Sequence, residues 1–288
     1  MIHMIFSILC TTAILMIFRS MERFRVDLFF AIIINYLTAS ALGLILSPGH
    51  GGITYLDIHR QEWFALSIIV GVMLIIMFFL IGISTRKAGV AATTVSTRLS
   101  VVIPMAFSIW FYHEPVNSLK IIGITLALIA LVLTALKKNQ HASRKYLFLP
   151  ILLFLGIGIL DSTIKYAQQE FITTDQSALF TGASFTWAFL TGILVMAARS
   201  APVSSFFNSR TLVAGVLLGA CNFGSIFFFI NALNARVFDS SIIFGVNSIG
   251  VVGLAIGLAI ILFKEKLMWV NWMGIGFAAG AIVTLVYA

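Results

Sequence analysis

Ten apolar segments follow one another along this 288-residue chain, and few architectures can accommodate them. They run over Ile2–Phe18, Val26–Leu46, Trp63–Ser84, Ala88–Tyr112, Ser118–Leu136, Tyr146–Ala167, Gln176–Ala197, Thr211–Asn231, Phe238–Phe263 and Met268–Tyr287. Each is near the roughly 20 residues that a helix needs to cross bilayer hydrocarbon. Only 10% of the residues are charged and 60% are apolar, against about 25% charged in an ordinary soluble domain. The segments are apolar on every side, so residue choice rather than amphipathic periodicity must locate any site. An alternating barrel pattern is absent. The chain reads as an all-α integral membrane protein with ten transmembrane helices.

The last two segments of the first five return in the last two of the second five, displaced by 151 residues. Glu114 falls on Glu265, Gly123 on Gly274, Val101 on Val252, Ala127 on Ala278, Ala130 on Ala281 and Val132 on Val283. An odd number of spans separates the copies, so the second is expected to cross the membrane in the opposite sense. The predicted organisation is a first five-helix repeat over 1–136, a basic linker over 137–145 and an inverted second repeat over 146–288. Inverted repeats of this kind let many secondary transporters build two exchangeable gates around one central site.

The formal charge of +8 lies in short loops beside apolar segments, where Lys and Arg meet lipid head groups; this argues against nucleic acid as a partner. Loops after the odd-numbered segments hold 13 of the 18 Lys and Arg, the opposite side holds 4, and Arg98 lies within a segment. The positive-inside rule therefore places Lys137–Lys145 in the cytoplasm and both termini outside, in a bacterial-type cytoplasmic membrane. The first segment has its positive residues Arg19, Arg23 and Arg25 behind it, the reverse of a cleaved signal, and is read as a retained helix. Cys10 and Cys221 sit inside apolar segments and the five histidines show no ligand spacing, so neither a metal nor any other cofactor is expected.

Arg98 is the outlier among the buried positions. Ten residues into the fourth segment, it costs at least ~2.5–3.5 kcal/mol at the midplane and must face an anion or several carbonyls. Thr93, Thr94, Ser96 and Thr97 precede it. Pro104 follows, freeing the carbonyl of Ser100 and predicting a kink that could serve a gate. The competing account is a structural arginine tied to helix-end carbonyls. Asp161 and Lys165 stand at i and i+4 in the sixth segment, either neutralising each other or forming a coupling pair, with Asp161 the candidate partner of Arg98. The amides Asn35, Asn222, Asn231 and Asn247 could line a pathway or simply bond a neighbouring helix, a contact averaging ~0.6 kcal/mol. Tyr36 and Trp187 could supply an aromatic wall. Glu114 and Glu265 are expected to cap and specify the turn before the following span. Gly215/Gly219, Gly253/Gly257 and Gly276/Gly280 are small-residue pairs suited to close helix contact within the chain or in a dimer.

Two stretches carry a resemblance. TTVSTRLSVVIPMAFSIWFYHEP with SLKIIGITLALIALVL, and VNSIGVVGLAIGLAIILFKEKLMWVNWMGIGFAAGAIVTLV, resemble the repeated unit of EamA-type members of the drug/metabolite transporter superfamily. The resemblance covers essentially the whole chain and implies ten helices, alternating access and a small-molecule substrate, in a monomer or homodimer. Members are generally drawn with both termini in the cytoplasm, opposite to the charge count here. A midplane arginine with amides and hydroxyls suits a small zwitterion or carboxylate. The rivals are an intramembrane enzyme and a membrane scaffold. Aspartyl chemistry needs two midplane aspartates, whereas Asp239 lies at the start of its segment, and HExxH is absent, so the chain is not read as an enzyme.

Overall fold

The computed structural model describes residues 1–24, 26–47, 55–87, 90–135, 148–198, 208–263 and 268–287. Among them the chain is helical with no strand. The helices are α1 (Ile2–Arg23), α2 (Leu28–Leu46), α3 (Phe64–Lys87), α4 (Val90–Leu99), α5 (Val102–Phe111), α6 (Ser118–Ala135), α7 (Phe148–Glu170), α8 (Ser177–Ala198), α9 (Ser209–Asn234), α10 (Ser240–Phe263) and α11 (Trp269–Val286). Seven of the described helices are long and apolar enough to cross a membrane, and three shorter apolar helices cover Ile2–Phe18, Ser96–Phe111 and Ser118–Leu133. A multi-pass membrane protein follows from these lengths and compositions. The linker 137–145 and Glu265 lie outside the described residues.

Two compact units form, each drawing on both halves of the sequence. One comprises Met1–Ile75 with Thr163–Ala235, the other Ile76–Ser162 with Arg236–Ala288. In the first, α2 packs on α8 and on α9, and α1 packs on α9. Asp27 starts α2 by accepting the backbone N–H groups of Phe29 and Phe30, which satisfies two donors that a helix start otherwise leaves open. Ser40 meets Thr186 at 2.6 Å between hydroxyls, while Gly43 meets Gly182, so α2 and α8 run antiparallel. Neither glycine has room for a Cβ. Gly215 and Gly219 serve the same end on α9, where an added Cβ would strike Ile34 and the backbone of Asn35.

In the second unit the main seam lies between α6 and α11. Each bound of α11 falls 151 residues beyond the corresponding bound of α6, the displacement seen in the sequence repeat. The two run antiparallel: a Cβ on Gly123 would meet Leu285, and Asn271 Nδ2 donates to the Leu133 carbonyl at 3.0 Å. Ala127 and Ala130 of α6 are buried, as are Gly274, Ala278 and Ala281 of α11. Three of the duplicated pairs, Gly123/Gly274, Ala127/Ala278 and Ala130/Ala281, are thus the small residues of this seam. A small side chain lets two helices share van der Waals contact over a long length, which in lipid replaces the hydrophobic drive. By contrast, Gly253, Gly257 and Gly276 would each accept a Cβ without touching any atom within 4 Å.

Candidate functional site

In the fourth apolar segment the regular helical bonding is interrupted between α4 and α5, while Val101 keeps helical backbone angles (φ −57°, ψ −23°). Ser100 and Val101 form the turn between α4 and α5. Pro104 cannot donate to the Ser100 carbonyl, so that carbonyl accepts instead from Ile103 N at 3.0 Å, one residue short of helical spacing. Ser100 Oγ donates to the Thr97 carbonyl at 2.8 Å. Pro104 itself sits in the first turn of α5, where a missing N–H costs nothing. The break is therefore written by Ser100 and Pro104 together.

Arg98 occupies the last turn of α4, immediately before this break. It is half-buried, as are Ser96 and Asn247. Asp161 is half-buried on α7, three residues beyond Gly158, where the lack of a side chain lets Ile103 of α5 press against the α7 backbone. Among the described residues neither Arg98 nor Asp161 forms an ion pair, so the expected Arg98–Asp161 bridge is not made. Asn247 on α10 holds its Oδ1 buried with no hydrogen-bond donor among the described residues, and Ser108 Oγ on α5 is buried in the same condition. An unmet buried polar atom costs about 1–3 kcal/mol, which a ligand or water at that atom would recover.

Asn35, Tyr36, Trp187, Asn222 and Lys165 fall in the other compact unit. Asn222 Nδ2 donates to Asn35 Oδ1 at 3.1 Å, joining α9 to α2. Asn35 is fully buried and its own Nδ2 finds no acceptor among the described residues. Tyr36 is buried and stacks on Phe185 at 5.9 Å between ring centroids. Trp187 stands edge-on to Phe64 at 6.0 Å. Asn35, Asn222 and Tyr36 are therefore neighbours as expected, and the amide pair performs the helix-joining role.

Lys165 does not pair with Asp161. Its Nζ donates to Gln168 Oε1 at 3.0 Å and Gln169 Oε1 at 2.9 Å, although the side chain is only 2% exposed. Gln168 Nε2 passes the chain on to Asn234 Oδ1 at 2.8 Å, and Asn234 Nδ2 donates to Ser177 Oγ at 3.3 Å. Ser177 Oγ lies 3.2 Å from Asn231 Oδ1. This buried polar line through α7, α8 and α9 was legible only at its ends, in Lys165 and Asn231. Gln168, Ser177 and Asn234 lie at helix ends where polar residues are unremarked.

A second polar cluster forms around Glu114. Its carboxylate accepts Ser240 N at 2.8 Å, Ser241 N at 3.1 Å and Ser241 Oγ at 2.6 Å. It caps α10, not the helix that follows it in sequence, and the expectation of a local cap is corrected to a long-range one. The turn that aims it places His113 in the left-handed region at φ 51°, the usual way out of a helix C-terminus. Lys120, 1% exposed, donates from Nζ to Asp239 Oδ2 at 2.6 Å and to the Pro115 carbonyl at 2.8 Å. These charges are mutually satisfied. Arg98 and Asp161 form no ion pair among the described residues.

No family model matches the chain. It is similar to an uncharacterized protein of Haemophilus influenzae, 27% identical over 298 residues covering 99% of this chain and 97% of that one. It also resembles a protein of known crystal structure, with a TM-score of 0.78 and 15% identity over 99% of this chain and 96% of the other. At that identity the likeness establishes the fold alone.

Proposed function

We propose that this protein is a secondary transporter of the EamA type within the drug/metabolite transporter superfamily, moving a small polar solute such as an amino acid across the cytoplasmic membrane by alternating access. The observation that carries this reading is the break at Ser100–Val101 with Arg98 in the turn before it. Discontinuous helices with a charged residue beside the break mark substrate sites in transporters, because the interrupted backbone and the charge are tolerable only where they meet a polar cargo. The antiparallel match of α6 with α11 at a 151-residue displacement supports an inverted repeat. Asn247 and Ser108, each with an unmet buried oxygen, suit an ammonium or hydroxyl donor, while Arg98 suits a carboxylate. That combination favours a zwitterion. The transporter works as a monomer or homodimer without a cofactor, and its driving force is the substrate's own gradient.

Proteoliposomes test this directly. Uptake of radiolabelled amino acids is expected in vesicles with the wild-type chain and is expected to fall at least tenfold with Arg98→Ala, with partial recovery in Arg98→Lys. A buried charge-assisted contact removed from a binding site typically costs about 1.5–3 kcal/mol, which corresponds to a loss of that order. Normal uptake by a well-folded Arg98→Ala protein would remove Arg98 from the site. The orientation drawn from the loop charges has its own test. A cysteine introduced at Asn139 is expected to resist an impermeant thiol reagent in intact cells, and ready labelling would reverse the topology.

A further inference from the structure

A groove of about 530 Å³ opens between α1 and the start of α9, in the range of cavities that hold small ligands. Met16, Ile17 and Met21 from α1, with Phe24 just beyond its end, face Val213 and Leu217 from α9 across it. The two helices run antiparallel, since Ser7 Oγ donates to the Ser225 carbonyl at 3.0 Å near the other end of α1. At its floor Met21 joins Leu218 and Ala31 in a buried apolar cluster. Its polar members are Ser20, Ser209 and Arg210. Ser20 is occupied, donating to the Met16 carbonyl at 2.9 Å. Arg210 is exposed in the first turn of α9, beside a helix start that carries partial positive charge.

The charge around this end is lopsided. In the sequence around this end Arg19, Arg23 and Arg25 stand against the single acidic Glu22. Asp27, the nearest acidic residue of the following helix, is turned to the α2 start and accepts Phe29 N at 3.1 Å. An apolar groove along a pair of apolar helices, with Arg210 at its rim, matches a molecule with a hydrocarbon chain and an anionic head. Water filling such a groove would gain nothing from its walls.

We infer that this groove holds an acyl chain of an anionic phospholipid, with the head-group phosphate against Arg210. The site is separate from the residues assigned to transport and holds whether or not the protein is a transporter. Each basic residue near a membrane surface adds enough attraction for an anionic lipid to change its affinity about fivefold.

Native mass spectrometry of the purified, delipidated full-length chain tests it, using phosphatidylglycerol and phosphatidylcholine with identical acyl chains, and inorganic phosphate as a third arm. The expected result is retention of phosphatidylglycerol at least fivefold above phosphatidylcholine, with no effect of inorganic phosphate. Arg210→Ala is expected to lose most of that preference and Arg210→Lys to keep it. Ala214→Trp, which fills the groove, is expected to lose retention of both lipids. Equal retention of the two lipids, or an unchanged preference in Arg210→Ala, overturns the assignment. Competition by inorganic phosphate overturns the lipid as occupant and leaves an anion site. Arg210 is exposed, so its variants fold, and they decide the matter even if Ala214→Trp does not.

Discussion

Gly43→Val is expected to prevent the first compact unit from forming, with a loss of at least about 3 kcal/mol and aggregation on solubilisation. A Cβ at this position would overlap Gly182 Cα and come within 2.9 Å of Gly182 N and 3.2 Å of the Ala178 carbonyl. The obstacle is backbone, so no rotamer change relieves it, and α2 and α8 must separate. Separation strands the Ser40–Thr186 hydroxyl pair and the Tyr36–Phe185 stack on the same face. Even Gly43→Ala should be poorly tolerated. Gly253 supplies the control, because a Cβ there meets nothing within 4 Å. Gly253→Ala is expected to be neutral or to stabilise by about 0.5–1 kcal/mol through reduced backbone freedom. Thermal unfolding in one detergent, with size-exclusion profiles, compares the three variants. A Gly43→Val protein that melts like wild type would show that the α2–α8 contact is looser than described.

These two glycines illustrate what the sequence could convey. Hydrophobic length announced the helices, and seven of those described are long and apolar enough to cross a bilayer. The duplicated glycine and alanines announced a shared structural duty, and they turned out to line the α6–α11 seam. Gly43 and Gly182 gave no such signal, since they are not duplicated and look like any glycine in an apolar run. Pro104 signalled a disturbance in the fourth segment. There the freed Ser100 carbonyl accepts from Ile103 N, and the Ser100 hydroxyl donates to the Thr97 carbonyl. The partners of polar side chains were the hardest to read. Lys165 sits one turn from Asp161, the spacing of an ion pair, yet the side-chain oxygens of two glutamines further along the helix accept from its ammonium. Glu114 was recognisable as a cap, but the helix it caps lies 126 residues ahead in sequence. Local spacing proposes partners, and tertiary packing chooses among them.

Lys120→Met is expected to cost about 3 kcal/mol, the lower end for breaking a buried ion pair. Lys120 is 1% exposed and holds three oxygens from different parts of the second unit: Asp239 Oδ2 at 2.6 Å, the Pro115 carbonyl at 2.8 Å and Glu114 Oε2 at 3.8 Å. Removing the ammonium leaves Asp239 charged with no cation at hand, although its side chain is 36% exposed and water offsets part of the loss. Glu114 fares better, since Ser240 N, Ser241 N and Ser241 Oγ still reach it. The damage should therefore concentrate on the α9–α10 connection at Asp239 and not on the α10 cap. A second substitution separates these contributions. Lys120→Met/Asp239→Asn is expected to recover part of the lost stability, because the uncompensated charge is gone, so the two changes are less than additive. Lys120→Met/Glu114→Gln is expected to be worse than either alone: the amide that replaces one carboxylate oxygen presents a donor to the donors of Ser241, weakening the α10 start as well. Thermal unfolding of the single and double variants reads both couplings. If Lys120→Met melts within a degree of wild type, or if removing Asp239 brings no recovery, then the pair does not hold the α5–α6 turn to α10, and the cap at Glu114 carries that junction by itself.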